Sequence, residues 1–549
     1  MRLVTLFMAS IQVIALAQHP NVLLLVVDDL RASLGCYGDN LALTPNIDAL
    51  ARGGVVFRRA YAQQALCGPS RTSFLTSRRP DTLKLYDVHS YWRHRAGNFT
   101  TLPQYFKDHG YHTASIGKVF HPGIVSNHTD DEEYSWSEPP YHPSSEAYKQ
   151  FPVCRGSDGR LHTNVYCPVE LNDQPEGTLP DIQSMEYAVN WLKRRKSNYS
   201  SDMIMNQPFL LAVGFHKPHI PLKFPSEFLD AYPIGSIPDV ANDKKPDALP
   251  DVAWNPWNDL RARNDIAALN VSFPFGPMPG SYARYLRQGY YAAVTYMDSL
   301  VAEVLQTTAR LFPDTLVVLI GDHGWALGEN QEWSKYSNSE VATRVPFIIS
   351  KLTRNMKFHG FRQFYHSYTD ARLHFNQHGF DQIYGNQNDK VDDFIPRFND
   401  DLVELLDVFP TIVDLAGIRQ LKSCPSHSNN IITCTEGRSL AEVIQEKISD
   451  ILSTNSISYL SKRVVFSQYP RPGLYPSAVP DSDQPRLQDI RVMGYSARTP
   501  RFRLTLWLPF SNATFYPDFS NVIIYALKLY LLYFLSEIEQ PKVTSIIIG

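Results

Sequence analysis

Four short strand-like runs stand out in the first part of the chain, and three of them are almost unbroken in apolar residues. They cover residues 21–27, 111–116, 209–215 and 315–320. A continuous apolar run of this length is typical of a strand buried on both faces in a parallel sheet. Each run ends abruptly in polar residues, as Asp28-Asp29 do after the first. We therefore expect four buried strands that carry polar side chains at their carboxyl ends.

Segments with helical periodicity lie between these runs, chiefly residues 180–193 and 282–306. Alternating strands and helices indicate an open α/β sheet covered by helices. Ligands bind such sheets at the carboxyl ends of the strands. Because four strands end in polar clusters, the sequence predicts a functional site at that edge.

The last third of the chain has a different pattern. Asp400-Asp401 fit the N-cap region of a helix over residues 402–415. Beyond about residue 440, short strand-like pieces follow at residues 463–467, 490–495 and 502–508. The sequence thus predicts an α/β fold with a large mixed, mostly parallel sheet flanked by helices. A smaller C-terminal α+β subdomain with an antiparallel sheet is expected after it.

The two ends of the chain are predicted to lie outside both units. Residues 1–17 have one arginine, an apolar stretch and a final Ala-Leu-Ala, the pattern of a secretory signal peptide rather than of a buried strand or membrane anchor. We place the large domain at 18–440, the subdomain at 441–521 and a divergent apolar tail at 522–549. The tail is short for a transmembrane span; a core helix, an interfacial segment and an exposed tail are the alternatives.

Composition and net charge limit the kinds of macromolecule that this protein is expected to bind. A net charge of −3, with 44% apolar and 19% charged residues, describes a folded protein without a general surface for nucleic acids. A polyanion would have to be held by a local basic pocket. Secretion predicts glycosylation at five N-x-S/T sequons, which are Asn98, Asn127, Asn198, Asn270 and Asn512.

Six cysteines in a secreted chain predict disulfides. Two pairs flank short turn-like segments, and we expect each pair to form a bond: Cys154 with Cys167, and Cys424 with Cys434. Cys36 and Cys67 remain. They could pair with each other, but we expect Cys36 to be a buried free thiol.

The most informative segment is CGPSR at residues 67–71, followed by LTSR at residues 75–78. Pro69 suits the first position of a helix, and the positive end of that helix would lie under the Cys67 side chain. Arg71 and Arg78 would add positive charge. Such a helix start attracts a tetrahedral oxyanion, either phosphate or sulfate.

Polar residues just beyond the strand ends supply candidate chemistry. Paired carboxylates are hard oxygen donors that suit Ca²⁺ or Mg²⁺, which would polarise an oxygen of a bound sulfate or phosphate. The candidate ligands are Asp28, Asp29, Asp322 and His323, with solvated loop acids or helix N-caps as the alternative. The candidate cations and proton carriers are Lys118, His121, His216 and Lys335.

Together these motifs resemble those of the type I sulfatases of the alkaline phosphatase superfamily. Their signature C-x-P-S-R-x-x-x-L-T-G-R matches residues 67–78 at every fixed position except Ser77, where the family usually has Gly. Other matching stretches include VVDDLR, GKVFHPGIVSNHTDD and DHGWALGE, and the resemblance spans roughly residues 20–350 and 400–515. HKPHIP, HTDD and SQYPRP are most similar to members that act on sulfated iduronate.

The resemblance implies an alkaline-phosphatase-like fold and a Cys67 that is not a working thiol. In the family this cysteine is oxidised to Cα-formylglycine by the formylglycine-generating enzyme, and the hydrated aldehyde attacks the sulfur of the ester. Asp28, Asp29, Asp322 and His323 would bind Ca²⁺ together with residue 67. The remaining implied roles are the diol contacts of Arg71 and Lys118, the base His121, the sulfate contacts of His216 and Lys335, and the sugar-side positions Asp131 and Trp325.

The implied function is that of a lysosomal exo-sulfatase delivered through the secretory pathway. It would act as a monomer and remove the 2-O-sulfate from non-reducing terminal iduronate in heparan sulfate and dermatan sulfate. The alternatives are a sulfatase of other specificity and a catalytically impaired, sulfatase-like glycan-binding protein, since the chain departs from the family after about residue 520. Ser77 leaves C-x-P-x-R intact, so conversion of Cys67 is expected to survive.

Overall fold

The computed structural model describes residues 19–156, 158–197, 207–361, 396–425, 431–449 and 464–521. Its main element is an eight-stranded sheet. The strands are β1 (Val22–Val27), β2 (Gly54–Tyr61), β3 (His112–Gly117), β4 (Phe209–Phe215), β5 (Leu316–Gly321), β6 (Arg344–Val345), β7 (Phe347–Lys351) and β8 (Arg397–Glu404). Their spatial order is β6-β2-β7-β5-β1-β4-β3, and β8 pairs with β2.

The four strands expected from the apolar runs are β1, β3, β4 and β5. They are neighbours in the sheet and run parallel, so their carboxyl ends meet at one edge. β7 runs antiparallel to β5 and β2, whereas β8 runs parallel to β2. The predicted mixed, mostly parallel sheet is confirmed.

Helices cover both faces of this sheet. The longer ones are α1 (Pro45–Arg52), α2 (Cys67–Thr76), α3 (Leu102–Asp108), α4 (Pro180–Ser197), α5 (Gly280–Leu311), α6 (Val408–Leu415) and α7 (Ala441–Ser449). Shorter helices span Pro80–Leu83, Trp92–Ala96, Glu132–Ser135, Asn258–Arg261, Asn264–Ala268 and Glu340–Thr343. No helix within the described ranges is both long and apolar enough to cross a membrane.

Successive side chains of β1 point into different cores. Leu23 and Leu25 pack in a buried cluster with residues of α1, α4 and α5. Val22 and Leu24 pack on the opposite face with residues of α2, α3, α6 and α7. Because both faces of β1 are covered, every residue of the strand is apolar, which explains the unbroken run in the sequence.

The prediction that a helix begins near residue 402 was wrong. Residues 397–404 form β8, whose backbone pairs with β2 and whose Leu402 and Val403 are buried. α6 begins at Val408, after the Asp407 carboxylate has accepted a hydrogen bond from the Glu404 backbone N–H at 2.9 Å. Pairing along the edge of β2 satisfies the backbone over these residues, and this long-range contact outweighs the local capping signal of Asp400-Asp401.

The C-terminal part forms the expected antiparallel sheet. Its strands, in spatial order, are β9 (Val465–Arg471), β10 (Val492–Arg498), β11 (Arg503–Ser511) and β12 (Tyr516–Pro517). This sheet contacts the large unit directly, since the Asn338 side-chain amide donates to the Gly494 carbonyl oxygen at 2.9 Å. The domain boundaries at 440 and 521 remain predictions, and the predicted signal peptide and apolar tail lie outside the described residues.

Candidate active site

The carboxyl ends of β1 and β5 place two of the predicted acidic groups side by side. β1 ends at Val27, opposite Gly321 of β5, so Asp28 and Asp322 follow at the same level. The Asp29 backbone N–H donates to Asp322 Oδ1 at 3.1 Å. All three aspartates are fully buried. Such burial of carboxylates requires charged or hydrogen-bonding partners nearby.

Lys118 enters the site because β3 and β4 approach closely where they end. A Cβ atom at Gly214 would lie 2.0 Å from the Lys118 carbonyl oxygen, so only glycine fits there. The Lys118 N–H donates to the Gly214 carbonyl oxygen at 3.0 Å. The Lys118 ammonium forms an ion pair with the Asp28 carboxylate and lies 3.7 Å from Cys67 Sγ.

Cys67 is the first residue of α2 and is 2% exposed. The helix therefore begins two residues before Pro69, which was expected to occupy the first position; a proline fits anywhere in this turn, where N–H groups have no intrahelical partner. Cys67 Sγ lies 3.3 Å from Asp28 Oδ1 and 3.2 Å from His323 Nε2. The helix N-terminus thus points residue 67 at the acidic cluster.

Arg71 lies one turn along α2 and is also fully buried. Its Nε donates to Asp322 Oδ2 at 2.8 Å, and its Nη2 lies 3.3 Å from Asp28 Oδ1. Nη1 donates to the carbonyl oxygens of Lys118 and Val119. One guanidinium therefore ties α2 to the ends of β1, β3 and β5.

Lys335 approaches residue 67 from another side. Its Nζ donates to Asp29 Oδ1 at 2.7 Å and lies 3.2 Å from Cys67 Sγ. Burial and the Asp28 carboxylate raise the pKa of the Cys67 thiol, but Lys118, Lys335 and His323 outweigh them and leave that pKa well below its usual value. The site thus stabilises negative charge at residue 67.

Four of the five predicted metal ligands converge. Single donor atoms of Asp28, Asp29, Cys67 and His323 all lie within 4.8 Å of one another. Asp29 Oδ2 is buried and has no hydrogen-bond partner among the described residues. Asp322 borders this group, but its carboxylate accepts from Arg71 and from the His323 backbone N–H. Carboxylate oxygens, an imidazole and an unpartnered buried oxygen fit a divalent cation.

The two histidines predicted to act as proton carriers lie differently. His121 lines the cavity at Cys67; its Nδ1 is buried without a partner among the described residues, and burial lowers its pKa. His216 points away, with Nδ1 3.0 Å from Asp181 Oδ1 and Nε2 3.3 Å from Glu146 Oε2. Its predicted contact with the sulfate finds no support here.

His219, three residues after His216, is the histidine of this turn that lies at the cavity. It lines the same cavity as Cys67, and its Nε2 lies 3.9 Å from Asp29 Oδ2. Burial, followed by Lys335 and Lys149, lowers the pKa of His219 well below its usual value. The segment HKPHIP contains both histidines, and only the orientation of this turn shows that His219 lines the cavity and His216 does not.

The two positions expected on the sugar side also differ. Asp131 is buried, and its oxygens accept from Arg93 Nε at 2.6 Å and Arg93 Nη2 at 2.7 Å. Asp131 therefore supports its loop, and it does not line the cavity at Cys67. Trp325 is closer to the site, since Lys335 Nζ lies 5.8 Å from the centre of its ring.

The cavity at Cys67 has a volume of about 530 Å³ and opens to solvent. Part of its wall is formed by Cys67, His121, His219 and Lys335. The rest of the wall includes Gln150, Thr163, Asp259, Arg263, Asp481 and Gln484, none of which the sequence singled out. This volume is typical of a small-molecule site.

Among the described residues, the predicted disulfide cysteines and glycosylation positions are absent from the wall of this cavity. Cys154 is bonded to Cys167 and Cys424 to Cys434, whereas Cys36 and Cys67 are buried free cysteines. Arg78, expected near the anion, instead donates to the Ile431 carbonyl oxygen at 2.7 Å. Of the predicted glycosylation positions, Asn98, Asn127 and Asn270 are exposed, Asn512 is half-buried, and Asn198 lies outside the described residues.

Comparison with known proteins identifies the family. A family model described as Sulfatase matches residues 20–418. The chain is 48% identical to iduronate 2-sulfatase of Mus musculus and 47% identical to that of Homo sapiens, in each case over 91% of this chain and 87% of the relative. This chain belongs to the sulfatase family. The sulfatase is accordingly a sulfuric ester hydrolase.

A solved structure supports the fold. The phosphonate monoester hydrolase of Agrobacterium radiobacter superimposes on the sulfatase with a TM-score of 0.58, over 94% of this chain and 95% of the other. The two sequences are 17% identical, so the likeness concerns the fold. The sulfatase therefore combines a fold shared with other hydrolases and a buried cysteine surrounded by acids and cations.

Proposed function

We propose that this sulfatase removes the 2-O-sulfate from non-reducing terminal iduronate in heparan sulfate and dermatan sulfate. The observation that carries the proposal is the 47–48% identity, over 91% of the chain, to relatives named iduronate 2-sulfatase. The proposal includes passage through the secretory pathway to the lysosome and action as a monomer.

Residue 67 is proposed to work as Cα-formylglycine, made from Cys67 by the formylglycine-generating enzyme. The hydrated aldehyde supplies a hydroxyl nucleophile for the sulfur of the ester. The chain's own contribution is to hold this residue at a helix start between Lys118 and Lys335, whose charges stabilise an anion. Arg71 fixes the angle of α2 against the strand ends.

The proposed metal is one Ca²⁺ held by Asp28, Asp29 and His323 with residue 67, with Asp322 next to them. The cation would polarise a sulfate oxygen and neutralise charge. Asp322, bound to Arg71, accepts a hydrogen bond from the Asp29 backbone N–H and so fixes the backbone at Asp29.

His121 and His219 are proposed to handle protons. His121 lines the cavity with residue 67 and has a buried Nδ1 without a partner among the described residues; burial lowers its pKa, which favours the neutral imidazole that can accept a proton. His219 Nδ1 donates to the Ile220 carbonyl oxygen at 2.6 Å, which directs Nε2 towards the cavity. His219 and Lys335 would then contact the sulfate and the leaving oxygen.

The test compares sulfate release from two disaccharides, one with a terminal 2-sulfated iduronate and one with a terminal 6-sulfated glucosamine. The iduronate substrate should be preferred; preference for the glucosamine substrate would refute the assignment. Mass spectrometry of the tryptic peptide containing Cys67 should show formylglycine, and a thiol throughout the secreted protein would exclude catalysis. Cys67→Ala should be inactive, whereas Cys36→Ala, at the other buried free cysteine, should keep activity.

A further inference from the structure

The wall of the catalytic cavity carries a guanidinium that the proposed chemistry does not use. Arg263 lines the same cavity as Cys67, His121 and Lys335. It immediately precedes the short helix Asn264–Ala268, and its backbone is fixed because its N–H donates to the Leu260 carbonyl oxygen at 2.9 Å. The backbone of Arg263 is therefore held at a defined place on the wall of the cavity.

The guanidinium of Arg263 has more N–H donors than its one hydrogen bond to Gln150 uses. Nη1 donates to Gln150 Oε1 at 2.5 Å, and no ion pair joins Arg263 to a carboxylate anywhere in the described part of the chain. Burial lowers the pKa of Arg263, against the opposite effect of Asp259 and Asp265. A guanidinium that has lost part of its water gains most from an added carboxylate, which it binds through two parallel hydrogen bonds.

The acidic neighbours of Arg263 are engaged elsewhere. Asp265 accepts from the backbone N–H groups of Val165 and Tyr166 and from the Tyr282 hydroxyl. Asp259 accepts from Ser334 Oγ at 2.8 Å. Both carboxylates are thus satisfied without Arg263, and the guanidinium is the cation left on this wall for a ligand.

We propose that Arg263 binds the carboxylate of a sulfated uronate and so selects acidic sugars over neutral and amino sugars. This inference rests on the proposed function, because it assigns the second charge of the same substrate. The sulfate lies at Cys67, between Lys118 and Lys335, and the carboxylate of the same sugar lies at Arg263. Each anionic group then has a cation of its own.

The experiment uses the full-length secreted protein and two substrates, the terminal 2-sulfated iduronate disaccharide and its counterpart with the carboxylate reduced to an alcohol. Wild type should prefer the carboxylate substrate about 10- to 100-fold in kcat/KM, because this is the contribution expected from one hydrogen-bonded pair of charged groups. Arg263→Gln should lose that preference through a higher KM, with the reduced substrate and the inhibition constant of inorganic sulfate changed less than about threefold. Arg263→Lys should keep part of the preference for the carboxylate, because lysine retains the positive charge but cannot donate two parallel hydrogen bonds.

Three results would overturn the inference. In the first, Arg263→Gln keeps the wild-type preference for the carboxylate. In the second, it loses activity on both substrates equally or binds sulfate more weakly, which marks a disturbed site. In the third, wild type cleaves other sulfate esters but neither disaccharide, and the proposed function itself fails. Arg155→Gln, at an arginine whose side chain is 71% exposed and absent from the cavity wall, is the matched control and should behave as wild type.

Discussion

The hydroxyl of Ser77 donates a hydrogen bond to the carbonyl oxygen of Leu406 at 2.6 Å. Ser77 follows the last residue of α2 and has φ 52° and ψ 40°, the left-handed conformation that favours glycine. The departure from the family signature therefore falls where the backbone explains the usual Gly. The hydrogen bonds of the serine hydroxyl compensate for the strain of this left-handed conformation. They join the end of α2 to the segment before α6 and include a further contact to Thr435 Oγ1 at 2.7 Å.

Replacing Ser77 separates the strain from the hydrogen bonds. Ser77→Ala should lower the free energy of unfolding by about 1–3 kcal/mol, because the strain stays and buried partners lose a hydrogen bond. Ser77→Gly should lie within about 1 kcal/mol of wild type, since relief of the left-handed strain offsets the lost bonds. Urea unfolding measures both, and an alanine variant more stable than the glycine variant would contradict this account.

Replacing His216 and His219 one at a time tests which of the two histidines acts in catalysis. His219→Gln should reduce kcat by about 100-fold or more, because His219 faces the cavity at Cys67. His216→Gln should act mainly through stability, since both of its ring nitrogens face acids outside that cavity. Steady-state kinetics and thermal melting of each variant provide the test. A larger loss of kcat in the His216 variant, at equal stability, would reverse the assignment.

Asp181 should act as a positioning residue for His219. Its two carboxylate oxygens accept from the backbone N–H groups of His216 and Lys217, at 2.7 and 2.8 Å, and so fix the start of the turn that carries His219. Asp181→Asn should reduce kcat about tenfold or more and shift the pH profile, while KM changes little. The exposed Glu186→Gln on the same helix is the control. An unchanged pH profile with reduced stability would reduce Asp181 to a structural role.

Removal of divalent cations should destabilise the protein. A cation that binds only the folded state adds to its stability, so a chelator should lower Tm by several degrees. Asp29→Asn should abolish this response because Asp29 brings an unpartnered buried oxygen to the ligand group. Asp314→Asn, at an exposed carboxylate paired with Lys351, should respond to the chelator as wild type does. Equal responses in all three proteins would count against the site.

Stability should fall as pH rises because of Asp259, which lines the cavity wall and neighbours Asp483. Burial and the neighbouring Asp483 raise the pKa of Asp259 to about 7, so the folded protein keeps a proton that the unfolded chain loses at lower pH. Between those pKa values the folded state binds more protons, and its free energy of unfolding declines as pH rises. Asp259→Asn should flatten this decline in urea unfolding from about pH 4.5 to 7.5. The exposed Asp489→Asn should leave it unchanged.

Much of the fold follows from local signals. The apolar runs correctly placed β1, β4 and β5, since a strand covered on both faces consists mainly of apolar residues, and the strand-like run at residues 111–116 placed β3. β8 escaped prediction because its pairing partner, β2, lies more than 300 residues earlier in the chain. At Asp400-Asp401 the local pattern favoured a helix, and no local signal marks the edge of a distant strand.

The sequence by itself identified the residues of the proposed reactive centre: a cysteine at a helix start, carboxylates at the ends of β1 and β5, and the cations Arg71, Lys118 and Lys335. The carboxylates and Lys118 directly follow strands, and Cys67 and Arg71 lie in the first turns of α2, so their positions are set by short stretches of chain. Only the tertiary structure decided which side chains face the cavity. His219 rather than His216 lies beside Asp29, because Asp181, 35 residues before His216, holds the turn between them. Asp131 is bound by Arg93, and Arg263 lines the cavity, because side-chain direction depends on partners brought together by folding.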